Sequence, residues 1–222
     1  MSKKHVGFLF VTFAALGFAA LIAPQAALAH DTSGQSADTL LSPQEVAAEI
    51  EKVRQATRKY EDINVALADG YVPAPPGDCV TAAKEGLPPE WGGMGIHYIQ
   101  PKLLKIKGAE PRVHGDSTHT DFMNPAILLY EPMADNSMKL VGVENLVFLH
   151  AWQRAGNQAA PTFAGRHWDV MADSASTEQD EAHHFDPHMD QHIYFAKSTD
   201  PRDQLRPFHP SVTCEHHKPA SK

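Results

Sequence analysis

The sequence predicts an α+β fold in which a long N-terminal amphipathic helix packs on a curved, mainly antiparallel β-sheet. Between Ser42 and Asp69, apolar residues recur every three or four positions, which is the spacing of one helix face. Later apolar runs are short and bounded by turn residues, as strands are. Since 222 residues are enough to bury a core, we predict a single α+β domain over residues 42–214.

The first 29 residues have the pattern of a secretory signal peptide. Lys3 and Lys4 precede an apolar stretch over residues 6–23, and Ala27-Leu28-Ala29 supplies the small residues of a cleavage site. An uncleaved membrane anchor is the alternative, because the apolar stretch approaches the length of a spanning helix. The cleavage site favours removal after Ala29. This predicts a periplasmic or extracellular protein without stable membrane insertion.

The predicted helix has recognisable start and stop signals. Residues 30–41 are small and polar and predict a flexible linker. Ser42 and Glu45 then form a capping-box pattern, with proline at the first helical position between them. Gly70 can close the helix in the left-handed conformation of a C-cap. At the other end of the chain, residues 215–222 are predicted to be a disordered tail.

Three later segments are predicted as strands. Residues 93–100 have the pattern of a short strand that carries His97. Residues 126–131 and 139–150 lie on either side of a polar loop, which is typical of a hairpin. The second of these runs is apolar on both faces, so it is expected to be a central strand, with Glu144 in its middle.

Charge and cysteine content limit the possible partners. The chain has 19 basic and 27 acidic side chains and a formal net charge of −8, so no nucleic acid partner is expected. Cys79 and Cys214 lie near the two ends of the predicted domain. Because export leads to an oxidising compartment, we predict a disulfide between them. Thiolate ligation of a soft metal is the alternative.

A row of alternating ionisable residues provides the clearest chemical pattern. The row comprises His184, Asp186, His188, Asp190 and His192. Side chains two apart on a strand point to the same side, about 6 to 7 Å apart. Pro187 can begin a strand but cannot lie inside a central one, so the residues before it are expected in a loop. In a helix, His188 and His192 would also share a face. Imidazole and carboxylate groups are ligands for divalent transition metals.

Further ligands are expected from polar residues within the apolar strands. Glu144 would lose its hydration on burial, and a cation or a hydrogen-bond donor must compensate. His97 is the second such residue, although a hydrogen-bonded core histidine is equally common. An arginine could also compensate Glu144. The arginines that could pair with Glu144 are Arg112, Arg154 and Arg166.

The predicted metal site therefore combines three segments. Its members are His97, Glu144, His188 and His192, with Asp190 beside them. Asp190 is either a ligand or the acceptor that orients a histidine. Glu131 and His150 are secondary candidates for a ligand or a base. Zinc, copper, iron and manganese all accept these ligands.

The other histidines are assigned less specific roles. His114 and His119 lie in a Gly/Ser/Thr-rich loop that could rim a pocket but more often stays solvated, and His167 could act similarly. The histidines predicted to be peripheral are His183, His184, His209, His216 and His217. If cleavage follows Ala29, the α-amino group and imidazole of His30 could together chelate copper.

Three classes of function follow from these patterns. The first is a protein that sequesters or delivers a metal, and the second is a metalloenzyme, a hydrolase or an oxidoreductase, with an open coordination position. The third is a structural or interaction domain that binds no metal. The sequence has no Gly-x-Ser-x-Gly elbow, phosphate loop, dinucleotide fingerprint or Cys-x-x-Cys-His site. Serine-hydrolase, nucleotide-dependent and c-type haem functions are therefore excluded.

Four short segments resemble an uncharacterised family of secreted bacterial proteins. They are GMGIHY at 93–98, LLYEP at 128–132, LVGVE at 140–144 and PHMDQH at 187–192. The resemblance extends to residues 68–71 and 210–214, whereas residues 193–194 and 209–210 depart from the family pattern. The resemblance implies the importance of the same candidate residues and does not imply a particular reaction.

Overall fold

The computed structural model describes residues 41–176 and 180–218 of the chain. The predicted signal peptide and all but the last residue of the predicted linker lie outside this range, as do His30 and residues 219–222. Within the described residues, no helix combines the length and the apolar character that are needed to cross a membrane.

Three consecutive helices replace the single helix predicted from Ser42 to Asp69. Helix α1 spans Pro43–Thr57, a 3₁₀ helix spans Arg58–Glu61, and α2 spans Ile63–Ala68. The predicted capping box is present, because the Ser42 hydroxyl accepts a hydrogen bond from the Glu45 amide and the Glu45 carboxylate accepts one from the Ser42 amide.

Local side-chain hydrogen bonds explain the interruption of the helix. The Thr57 hydroxyl donates to the carbonyl of Val53, and such bonds bend helices. Asp62 then accepts a hydrogen bond from the Asn64 amide and forms the N-cap of α2. Thr57 occupies a buried position of the predicted stripe, so the three-to-four-residue spacing gave no sign of the break.

The strands and the remaining helices follow α2. The strands are β1 (Val72–Pro73), β2 (Cys79–Thr81), β3 (Gly93–Ile99), β4 (Ile106–Gly108), β5 (His114–Gly115), β6 (Ile127–Pro132), β7 (Met138–Phe148), β8 (Thr162–Phe163), β9 (Arg166–His167), β10 (Asp169–Met171) and β11 (His188–Tyr194). The helices are α3 (Pro101–Leu104) and α4 (Leu149–Arg154), with 3₁₀ helices at Pro89–Trp91 and Pro201–Leu205.

In the described part of the chain, the main sheet has seven strands. Their order is β1-β3-β6-β7-β11-β10, and β2 pairs with β3 outside this path. All of these pairs are antiparallel. The predicted hairpin is β6 and β7, and β7 is central because β11 pairs with its other edge. Strand β11 begins directly after Pro187, as predicted, and leaves His184 and Asp186 in the preceding loop.

The two faces of the sheet pack against different parts of the chain. On one face, Val46, Ile50 and Val53 of α1 pack in a core cluster with Val143 and Ile193. The opposite face belongs to a second cluster, which includes Leu129, Leu146, Phe148 and Tyr194. Because side chains alternate along a strand, the even-numbered residues of β11 point away from α1. The predicted metal ligands of β11 therefore lie on the face opposite the helix.

The C-terminal segment is attached to the domain. Cys214 forms the predicted disulfide with Cys79, with the two Cα atoms 5.8 Å apart. The described beginning of the predicted tail also makes contacts, since the Lys218 ammonium donates to the Asn136 side-chain carbonyl at 2.6 Å. Thus the disulfide joins the end of the described chain to β2, at the edge of β3.

Candidate metal centre

Three of the predicted ligands meet on the face of the sheet opposite α1. The strand register pairs Glu144 on β7 with His192 on β11, and His97 approaches from β3 on the far side of β6. Glu144 Oε2 lies 3.2 Å from His97 Nε2 and 3.4 Å from His192 Nε2. One ligand atom from each side chain lies within 4.8 Å of the other two. The three residues form a group that could hold a metal ion.

The buried atoms at the centre of this triad lack hydrogen bonds. The exposed fraction of the side chain is 3% for Glu144, 2% for His192 and 13% for His97. Among the described residues, no hydrogen-bond partner exists for Glu144 Oε2 or for either ring nitrogen of His192. A buried polar atom without a partner costs about 1 to 3 kcal/mol. A proton or a cation between the three side chains would remove this cost.

The arginines that could have compensated Glu144 are all engaged with other carboxylates. Arg112 pairs with Asp173 and Asp180, Arg154 with Asp116, and Arg166 with Asp169. Each pair lies within the described residues and none involves Glu144. The alternative of an arginine partner is therefore not observed.

The distances within the triad suit ligands that share one cation. A tetrahedral metal about 2.0 to 2.2 Å from each nitrogen and oxygen holds its ligand atoms about 3.3 Å apart, and the ligands do not point at each other. The distances of 3.2 and 3.4 Å match this separation. Glu144 Oε2 also makes no hydrogen bond, as expected if the ligand atoms point at a shared cation and not at each other.

Burial changes the protonation of the triad. It raises the pKa of Glu144 to about 7, although the neighbouring His192 acts in the opposite direction. Burial also lowers the pKa of His97 to about 4. Both shifts favour the neutral form of the side chain, as expected where water is excluded. Neutral His97 is the form that binds a metal, whereas Glu144 must ionise to do so.

His188 and Asp190 lie beside the triad and outside it. The His188 Nδ1–H donates to the Asp186 carbonyl at 2.9 Å, which leaves Nε2 as the ring nitrogen available to another partner. This Nε2 lies 3.7 Å from Asp190 Oδ2. Burial alone would raise the pKa of Asp190, but His188 and His192 lower it below its usual value. Asp190 is thus an anion next to two histidines.

The triad and the His188–Asp190 pair line one cavity of about 150 Å³. It is lined by His97, Glu144, His188, Asp190 and His192, and by His183, His184 and Cys79 from neighbouring segments. His183 was predicted to be peripheral, and its place in the cavity wall corrects this. His184 lies at the rim, with 60% of its side chain exposed and its Nδ1 3.2 Å from Asp180 Oδ2. Both residues have a positive φ, of 49° and 65°. Sequence patterns give little indication of such a conformation in residues other than glycine.

The secondary candidates lie away from the cavity. Glu131 Oε1 accepts a hydrogen bond from the Thr213 amide at 2.7 Å and fastens the C-terminal segment. His150 is on α4, not in the preceding strand, and its Nε2 lies 3.0 Å from Asp116 Oδ1. Neither residue lines the cavity described above. Their neighbours in the sequence resemble those of Glu144 and His97, and only the tertiary structure separates them.

The raised pKa of Glu144 predicts a pH-dependent loss of stability in the metal-free protein. Because the folded protein holds this proton more tightly than the unfolded chain, the stabilising contribution is complete below pH 4.5 and is lost as the pH rises through about 7. Glu144→Gln does not ionise. In chelator, its free energy of unfolding should therefore rise relative to wild type across this range, by on the order of 3 kcal/mol.

Denaturant titrations of both proteins at a series of pH values measure this difference. His97 titrates in both proteins, and its opposite contribution cancels in the comparison. A difference between the two proteins that stays constant from pH 4.5 to above pH 7 would contradict the raised pKa.

Comparisons with known proteins do not assign this chain to a family. No family model, no curated protein and no solved structure gives a significant match. The resemblance to a family of secreted bacterial proteins stays a prediction, and a functional interpretation has to rest on the geometry of the site.

Proposed function

We propose that this protein binds a divalent transition metal through His97, Glu144 and His192. The observation that best supports this function is the position of Glu144 Oε2, which is buried between two imidazole nitrogens without a hydrogen bond to either. A dication would compensate the carboxylate and engage both lone pairs at once. Zinc, copper, iron and manganese all bind two imidazoles and a carboxylate.

A purely structural role explains the triad less well. Buried polar groups in folded proteins are nearly always hydrogen-bonded, and each exception requires an explanation. Here the exceptions cluster on two facing side chains, Glu144 and His192, at the wall of a cavity. Apolar residues of similar size would stabilise the sheet better than this cluster does without a cation. A ligand-binding role accounts for the cluster directly.

Two uses of the bound metal are consistent with this site. Sequestration or delivery of the metal in the periplasm requires only binding and release. The second candidate is a metalloenzyme, a hydrolase or an oxidoreductase, and the cavity beside the triad favours it. Three protein ligands leave a coordination position for an external molecule, and catalytic metal sites share this property.

We also propose that the protein is exported. The disulfide between Cys79 and Cys214 supports this, because such bonds persist in oxidising compartments. The charged, apolar and small-residue segments at the start of the sequence support it independently.

Export predicts that the mature protein begins at His30. Intact-mass measurement of protein recovered from the periplasm or medium should therefore give a chain that lacks the first 29 residues. Recovery of the full-length chain in the membrane fraction would contradict cleavage.

Loss of a triad ligand is expected to abolish tight metal binding. Isothermal titration of chelator-treated, untagged protein with Zn²⁺ should show at least about a 100-fold loss of affinity for Glu144→Gln and His192→Ala, because even changes behind the ligands cost 10- to 100-fold. The matched control is His150→Ala, which removes an exposed histidine on α4 and should bind as wild type does. Wild-type affinity in Glu144→Gln would contradict the proposed site.

A metalloenzyme and a carrier differ in their response to an external ligand. We expect the visible absorption spectrum of the Co²⁺-loaded protein to change when azide is added, because the cavity gives access to an open coordination position. A spectrum that is insensitive to azide, in protein that binds Co²⁺ stoichiometrically, would favour a closed coordination shell and a carrier function.

A further inference from the structure

One buried oxygen beside the triad lacks a partner. Asp190 lies on β11 with 2% of its side chain exposed, and its Oδ2 is 3.7 Å from His188 Nε2. The other oxygen, Oδ1, is buried and has no hydrogen-bond partner among the described residues. Because buried polar atoms in folded proteins are nearly always hydrogen-bonded, this oxygen requires an explanation.

A cation held by the triad does not provide this partner. His97, Glu144 and His192 form the group whose ligand atoms lie within 4.8 Å of one another, and Asp190 is not a member of it. An ionised Glu144 has no proton to donate. A donor for Asp190 Oδ1 is therefore expected from a molecule that enters the cavity.

The cavity places Asp190 within reach of a molecule bound to the metal. Asp190 and His192 are two apart on an extended strand, so their side chains point to the same side, about 6 to 7 Å apart. Both line the cavity of about 150 Å³, together with Glu144 and His97. A cavity of about this volume accommodates benzene, with about six non-hydrogen atoms. A molecule of this size can contact the metal at one end and Asp190 at the other.

We propose that the cavity binds a small protic molecule, of about six non-hydrogen atoms, that coordinates the metal through a lone pair and donates an N–H or O–H to Asp190 Oδ1. This inference rests on the proposed metal binding by the triad and names the class of ligand for the open coordination position. Asp190 determines specificity here, because a molecule without a donor leaves its buried oxygen unpaired.

Three small probes test this inference in Co²⁺-loaded, untagged protein. Imidazole has a lone pair on one ring nitrogen and an N–H on the other. 1-Methylimidazole lacks the N–H, and 4-methylimidazole keeps it while it adds the same methyl group. Titrations followed by visible absorption should show at least about 10-fold tighter binding of the two N–H probes than of 1-methylimidazole, because a carboxylate accepts such a hydrogen bond strongly. The ratio for free Co²⁺ in solution gives the intrinsic preference of the metal.

Replacement of Asp190 should remove this preference without removing the metal. Asp190→Leu, which has a similar size and no acceptor, is expected to load Co²⁺ stoichiometrically and to lower the ratio to that of free Co²⁺. Asp190→Ala serves if Asp190→Leu fails to fold. The matched control is His150→Ala, which should keep the wild-type ratio because His150 does not line the cavity.

The possible outcomes separate this inference from the proposed metal site. Wild type that holds Co²⁺ but binds the three probes with the ratio of free Co²⁺, or binds none of them, would overturn the role of Asp190 and leave the metal site intact. A preference that survives in the Asp190 variants would also overturn it, as would loss of Co²⁺ from a folded Asp190 variant. Failure of wild type to bind cobalt, zinc, copper, iron or manganese would overturn both proposals.

Discussion

The candidate metal site depends on the burial of one carboxylate, Glu144, in the middle of the sheet. Glu144 lies on β7, which has paired strands on both edges, and α1 packs against the other face of the sheet. A carboxylate in this position is stable as a neutral acid or beside a positive charge. The side chains that the fold brings to its Oε2 are two imidazoles, and imidazoles bind a cation only when they are neutral. This arrangement supports the proposed metal site.

The secondary structure also decides which histidines can act together. Residues at i and i+4 share one face in both a helix and a strand, but they are neighbours only in a helix. Because β11 is a strand, His192 joins the triad whereas His188 lies at the other end of the row with Asp190. The alternation that identifies the row in the sequence therefore also limits how many of its members one cation can bind.

Local patterns predicted the parts of the fold that depend on local interactions. The capping box at Ser42, the hairpin of β6 and β7 and the start of β11 after Pro187 are all present in the structure. The disulfide is also present, and it could be predicted because the chain has only two cysteines. The pairing of β11 with β7, which places His192 opposite Glu144, joins segments about 50 residues apart and depends on the packing of the whole sheet. The positive φ of His183 is uncommon for a residue other than glycine, and the position of this side chain in the cavity was not predicted.

Anomalous X-ray diffraction from crystals of the zinc-loaded protein is the most direct test of the central claim. We expect a peak at the zinc edge about 2.0 to 2.2 Å from His97 Nε2, Glu144 Oε2 and His192 Nε2. The claim would be contradicted if, at saturating zinc, no peak lay within bonding distance of Glu144 and its carboxyl group were instead hydrogen-bonded to a neighbouring histidine.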